Sequence, residues 1–401
     1  MKQMRRWVLF ILLLAFPLSL SAVEGDSTVF VHRVGLNFRP SVIMQTHDFF
    51  KGANMYSRPM IASGSAHLQY SFMFPSGSRL GRLYPTAYQG IGMAAYTFLN
   101  PAEVGTPLVL YLFQGARIAT FAKGLSLDYE WNFGASFGWH PSSKDEGQPG
   151  ANPNNLVVGT KVNAYINGAL MLSWTPAPEW TLSAGLDFTH FSNGDTTFPN
   201  SGVNTLGLRL GAVRTFKGVM AEDRRVLPMF DYPKGDRMER FVLDVLACGA
   251  WNEEMVAFDG EDRRVDGKFA VLAVHVNPLY RMSRFLLVGA ALDFQYNESM
   301  NIQNHIAGKN PDAIKFYRPP LSEQLGAGIS LRAELEMPIF SVNFGVGHNV
   351  LYQGKELGGF YNLLSLKTFV TNNLFLNVGL KVCTTEASNN LLLGVGWRFG
   401  K

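Results

Sequence analysis

Cysteine and charge are scarce in this chain of 401 residues, which has 2 Cys and 16% charged side chains. Two cysteines in a chain this long make no disulfide framework, so stability has to come from packing or from a closed sheet. Soluble domains carry about 25% charge, so an ordinary water-facing surface is not indicated. Beyond the N-terminal segment there is no other long uninterrupted apolar run. A membrane-spanning helix needs about 20 such residues and is not expected there. The net charge of +4 includes Lys2, Arg5 and Arg6 of the N-terminal segment. The remainder lies nearer neutrality, and nucleic acid is not suggested as a partner.

Glycine (40) and phenylalanine (30) are abundant instead, and aromatic residues make up 13% of the chain. The chain opens with three cationic residues, an apolar run from Trp7 to Phe16, and small Ser19, Ser21 and Ala22. That order reads as a secretory signal peptide over residues 1–22, cleaved near Ala22. An N-terminal anchor is the other reading, but the run is shorter than a span requires.

The remaining pattern is a period of two. From Leu125 to Trp139 the odd positions are Leu, Leu, Tyr, Trp, Phe, Ala, Phe and Trp, while the even ones are Ser, Asp, Glu, Asn, Gly, Ser and Gly. Val162–Trp174 and Leu374–Val382 repeat it. Such alternation marks strands with one apolar and one polar face. Strands of soluble sandwiches average about 5–6 residues; many here run past ten, as tilted membrane strands do. Aromatic residues near strand ends (Tyr129, Trp131, Trp139, Trp174, Trp251) suggest interfacial girdles. The expected fold is all-β, a transmembrane antiparallel β-barrel of about 14–16 strands. The stretches are 29–38, 64–74, 87–98, 107–118, 123–139, 160–174, 180–192 and 203–216, then 240–251, 268–281, 285–297, 324–336, 339–349, 359–370, 373–383 and 391–399. Whether they close as one barrel or two units is open. Thr175–Glu179 reads as a tight turn and His140–Asn155 as a long loop. Ala221–Arg240 and Asn252–Arg264 are charged and read as solvated connections. Cys248 and Cys383 share one strand face, which leaves a disulfide between them open. Lys161–Phe188 is weakly echoed by Lys268–Phe294, with Tyr296 and Glu298 falling where His190 and Ser192 stand; convergence of barrel hairpins is favoured over an ancient duplication as the explanation.

The hairpin around residue 190 carries the chemistry. Leu182, Ala184, Leu186 and Phe188 share a face, and His190 and Ser192 continue its parity. A base and a nucleophile would then lie on the apolar side of a strand. The bland reading is a polar strand end at the headgroup level. Against it stands a specific segment, Thr189–Gly211, with a His-x-Ser-Asn step (His190, Ser192, Asn193), a loop closing with Pro199, Asn200 and Gly202, and an amphipathic strand after it. This segment resembles the lipid A 3-O-deacylase family, the PagL-like or acyloxyacyl hydrolase barrels. The likeness is close over about twenty residues and loose over the eight strands from 29 to 216. It divides the chain into the signal peptide 1–22, a deacylase-like unit 23–216, and additional strands and loops over 217–401.

The resemblance implies Ser192 as nucleophile and His190 as general base, with Asn193, Gly194 and Asn200 offering amide donors to an oxyanion. In the small deacylases a glutamate stands fourteen residues after the histidine; here that position is Asn204. Asn204 has the parity to sit beside His190, and an amide oxygen can orient an imidazole without its charge. Asp195 is an alternative partner, Asp187 a poorer one because of its lumen parity. His140, His305 and His348 are isolated and lack metal-ligand spacing. No metal or cofactor is expected. The function expected is an outer-membrane esterase that removes an ester-linked (3-hydroxy)acyl chain from the lipid A of lipopolysaccharide. Its partners are that substrate and outer-membrane lipids, with the oligomeric state open. The rival is a non-enzymatic channel or structural surface barrel, since sixteen strands closing together leave an aqueous lumen.

Overall fold

The computed structural model describes residues 29–400 except 144–151, 178, 217–223, 225, 229–230, 232–237, 259, 309–313, 355–357 and 384–389. The signal peptide expected over residues 1–22 lies outside the described residues. Among the described residues sixteen antiparallel strands form, and they close twice. The first barrel comprises β1 (Val31–Ile43), β2 (Ala62–Met73), β3 (Tyr88–Thr97), β4 (Gly105–Ala122), β5 (Leu125–Trp139), β6 (Val162–Ala177), β7 (Trp180–Ser192) and β8 (Val203–Phe216). It closes where β1 pairs with β8. The second comprises β9 (Phe241–Phe258), β10 (Glu261–Arg281), β11 (Leu286–Asn297), β12 (Leu325–Glu336), β13 (Phe340–Leu351), β14 (Phe360–Phe369), β15 (Leu374–Cys383) and β16 (Asn390–Phe399), and closes through β16 on β9. The longer loops mostly follow odd strands and short connections mostly follow even ones, as in an outer-membrane β-barrel, although β9 turns directly into β10 and both β2 and β8 lead into long connections.

The two faces of the strands explain why the sheets curl. Outward positions are apolar and open: Leu36 and Phe38 on β1, Leu186 and Phe188 on β7, Leu206, Leu208 and Leu210 on β8, Ile329 and Leu331 on β12, Val395 and Trp397 on β16. Each such side chain left in water forfeits about 1.5–3 kcal/mol of burial, so this exterior suits hydrocarbon. Inward positions are polar and paired. In the first barrel the Arg209 guanidinium grips both oxygens of Glu130, at 2.7 and 3.0 Å, and Arg39 donates to Asp187 at 2.9 Å. In the second, Arg398 holds Asp244 in the same two-pronged way, at 2.6 and 2.7 Å, and Lys367 donates to Asp244 and Glu334. Removed from water, these charges need one another. Packed aromatics complete the first interior: Gly92 on β3 has no Cβ because the ring of Tyr111 fills that space, 2.3 Å from where one would lie.

Among the described residues, side chains therefore occupy both lumens. Cavities of about 20 Å³ beside Glu130 and Arg209, and about 10 Å³ beside Arg332 and Lys367, are too small for a pore. Closing eight strands at a time leaves room for side chains and little else, whereas the channel expectation rested on sixteen strands closing together.

Several sequence expectations need correction. Asn252–Arg264 is not a solvated connection: β9 runs on to Phe258 and β10 starts at Glu261, pairing across Glu254 and Val265. Thr175–Ala177 continue β6 rather than turning. Trp139 is not a girdle residue. The register of β4 on β5 shifts near Gly105, Gly138 adopts φ +90°, and the parity flips, so Trp139 points inward against Phe98 and Phe191. Tyr129 and Trp131 meet the second barrel, the indole edge-to-face with Phe340 at 5.3 Å and the phenol 3.2 Å from the Met337 sulfur. Cys248 and Cys383 are free thiols. The echoed hairpins occupy different places, strands six and seven of one barrel and two and three of the other.

Candidate active site

Strand register assembles the site. β7 pairs with β8 so that His190 faces Asn204 directly, and with β6 so that Ile166 and Ala164 lie opposite His190 and Ser192. Directly opposed residues on one face have Cβ atoms about 4.5–5.5 Å apart, within reach of a side-chain hydrogen bond. The three polar groups form a chain: His190 Nδ1 lies 2.7 Å from Asn204 Oδ1, and His190 Nε2 lies 3.0 Å from Ser192 Oγ. An amide oxygen only accepts, so its contact places the ring hydrogen on Nδ1. Nε2 is then bare and accepts from the Ser192 hydroxyl, the tautomer in which an imidazole can take the seryl proton.

All three groups are half-buried, on the outward face that carries Leu186, Phe188 and Leu206. The inward neighbours anchor them. Phe191, between His190 and Ser192, is buried in the lumen with its ring 5.1 Å from Tyr96, 5.0 Å from Trp139 and 5.4 Å from Tyr165. That aromatic plug fixes the end of β7. Gly202, at φ +70°, lies flush with the site: a Cβ there would stand 3.3 Å from His190 Cε1 and 3.8 Å from Ser192 Cβ.

The loop between the strands is tied to itself. The Asn193 backbone N–H donates to Asn200 Oδ1 at 2.9 Å, Asn200 Nδ2 donates to Asp195 Oδ1 at 2.9 Å, and Asn193 Nδ2 donates to Thr197 O at 2.8 Å. Each carboxamide nitrogen keeps a second hydrogen. Asp195 thus faces Asn200, and Asp187 is committed to Arg39 in the lumen, while Asn204 is the group on the imidazole. The three other histidines considered from sequence lie elsewhere: His305 Nε2 is 2.9 Å from Glu323, His140 contacts the Ala102 carbonyl, and His348 packs on Phe360.

A groove of about 600 Å³ on the second barrel's exterior is lined by Leu272, Val274, Phe294, Tyr296, Leu325 and Val350. There Tyr296 accepts from Arg318 at 2.9 Å, and Arg318 lies 3.2 Å from Glu298. Size does not make it the reactive site, because it lacks a base beside a nucleophile.

Two family models match the chain. Residues 62–213 match lipid A 3-O-deacylase (PagL), and residues 243–401 match the acyloxyacyl hydrolase C-terminal domain. The chain belongs to the PagL-like lipid A deacylase family. The first match ends inside β8 and includes the His190, Ser192 and Asn204 positions; the second spans the strands from β9 to the end. No curated protein matches the chain. Among solved structures it is similar to the FrpB iron transporter of Neisseria meningitidis, at 9% identity and TM-score 0.22 over 94% of this chain and 71% of that one. It is also similar to the siderophore receptor PirA of Pseudomonas aeruginosa, at 9% identity and TM-score 0.25 over 94% and 82%. A third is the toluene transporter TbuX of Ralstonia pickettii, at 10% identity and TM-score 0.19 over 93% and 89%. At such scores these likenesses carry no argument about fold or activity.

Sequence reasoning missed the aromatic plug and every contact between the loop and the second barrel. The plug had a signal, since Phe191 has inward parity between two polar outward residues. The contacts had none, because β9 beyond Trp251 shows no alternation to reveal it as a strand.

Proposed function

We propose that this protein is an outer-membrane esterase that removes an ester-linked (3-hydroxy)acyl chain from lipid A, with Ser192 as nucleophile, His190 as general base and Asn204 orienting the imidazole. The observation that carries the reading is the hydrogen-bonded chain Ser192–His190–Asn204 on the apolar exterior rather than in the lumen. A reactive pair there meets substrates that travel in the bilayer.

β7 is the seventh strand, so with both barrel ends in the periplasm it runs outward and the site falls in the outer leaflet. Lipopolysaccharide occupies that leaflet, and its acyl esters supply the bond. Ser192 Oγ attacks the ester carbonyl while His190 Nε2 takes its proton. The tetrahedral oxyanion is met by loop donors: the Gly194 N–H and the second hydrogens of Asn193 and Asn200. The imidazolium returns its proton to the departing sugar oxygen, and water then releases the acyl group by the same steps in reverse order. Small Ala164 beside Ser192 leaves room along the wall for the acyl chain. No step calls on a metal or cofactor.

The test is turnover of purified lipid A in mixed micelles by the protein and by Ser192→Ala and His190→Ala. Loss of one hydroxyacyl mass from the lipid, abolished in both folded variants, is expected. Unchanged lipid with every variant would leave a structural surface barrel.

A further inference from the structure

The loop that follows Ser192 is held from outside by the second barrel. Glu253, on the part of β9 that extends past Trp251, is only 8% exposed. Its Oε2 accepts the Phe198 backbone N–H at 3.0 Å, and its own N–H donates to the Asp195 carbonyl at 3.4 Å. Arg264, across the hairpin on β10, donates to the same carboxylate at 3.4 Å. Beside this contact Gly194 lies so close to Leu391, at the start of β16, that a Cβ on it would stand 2.3 Å from that residue's Cβ. Gly194 and Asp195 both adopt left-handed φ, +64° and +60°. A loop of two successive left-handed residues is thus pinned at Gly194, Asp195 and Phe198 by strands of another barrel.

We infer that Glu253 is a positioning residue of the deacylase reaction: from the second barrel it fixes the 193–202 loop so that its amide donors meet the oxyanion formed at Ser192. This deepens the proposed function and rests on it. The polar charge of the β9–β10 extension is then explained, since its task is to reach a loop beyond the apolar belt. It also gives the second barrel a part in catalysis without a nucleophile of its own.

The length of the side chain matters more than its charge. Glu253→Gln keeps an oxygen at the same reach for the Phe198 N–H, whereas Glu253→Asp keeps the charge near Arg264 but falls one methylene short. Misplacement of about 1 Å at a catalytic group costs up to about 100-fold. Turnover of lipid A micelles is therefore expected to fall roughly 10- to 100-fold in kcat for Glu253→Asp and Glu253→Ala, with KM little changed and near-native activity in Glu253→Gln. Amide exchange, followed by mass spectrometry on the detergent-solubilised full chain, should quicken across residues 193–202 in the Asp and Ala variants alone. The opposite order, Asp active and Gln impaired, would mean that Glu253 serves only its ion pair and would overturn the inference. Native exchange in Glu253→Ala would overturn it too, even if the wild-type protein leaves lipid A intact. An active wild type with equally active Ala and Asp variants refutes the inference and spares the deacylase reading; an inactive wild type refutes that reading, and the catalytic part assigned to Glu253 with it.

Discussion

Asn204 offers the sharpest quantitative test, because the family resemblance implies a carboxylate at its position. Its amide oxygen lies 2.7 Å from His190 Nδ1. Removing it by Asn204→Ala leaves a half-buried ring N–H without its acceptor. Such a loss costs about 1–3 kcal/mol when the group is buried. Partial exposure lets water replace the bond, so the lower part of that range applies, a fall of roughly 5- to 30-fold in kcat. Asn204→Asp keeps the length and the geometry and adds charge. A hydrogen bond to a charged group exceeds a neutral one by about 1 kcal/mol, so the imidazolium formed during attack should be favoured roughly fivefold. The assay is initial release of hydroxy fatty acid from lipid A at saturating substrate, with folding checked by heat-modifiable mobility. Undiminished activity in Asn204→Ala would refute the orienting role. An Asp variant slower than Asn would refute the argument that charge at this position is what the site lacks.

Gly202→Ala should fold yet lose at least about tenfold in activity, because its Cβ would crowd His190 at a φ that costs an L-residue about 1–2 kcal/mol; native rates would show that the imidazole has slack. Glu130→Ala strands Arg209 in the lumen and should destabilise the first barrel by about 3–5 kcal/mol in urea titration from vesicles; an unchanged midpoint would mean that the lumen charges are not coupled. Planar bilayers containing the protein should stay silent, and stepwise conductance would contradict the filled lumens. Denatured but unreduced protein should react with two equivalents of thiol reagent, since both cysteines are free.

The strands were legible because hydrocarbon outside and paired polar groups inside impose alternation. The bounds 180–192 and 203–216 expected for β7 and β8 are those observed. The outward parity of His190, Ser192 and Asn204 follows from that alternation, and their contact follows from the length of the loop between them. Double closure was not legible. Whether β8 turns back to β1 or goes on to β9 changes neither face of either strand. The inter-barrel contacts were hidden for a related reason: Trp131 and Tyr129 look the same in sequence whether they meet lipid or Phe340 and Met337. Trp139 misled because a single residue at Gly138 resets the parity. The extension of β9 misled because Asn252, Glu253 and Glu254 are polar on both faces, and a strand outside the bilayer carries no periodic signal.

The claim beneath all of this is that the exterior Ser192–His190 pair cleaves a lipid ester. Trapping the acyl-enzyme addresses it most directly: incubation with lipid A, acid quench and peptide mass spectrometry. A hydroxyacyl adduct on the peptide containing Ser192, absent from Ser192→Ala, is the predicted result. Deacylated lipid together with an adduct on a different residue, or continued deacylation by Ser192→Ala, would contradict it.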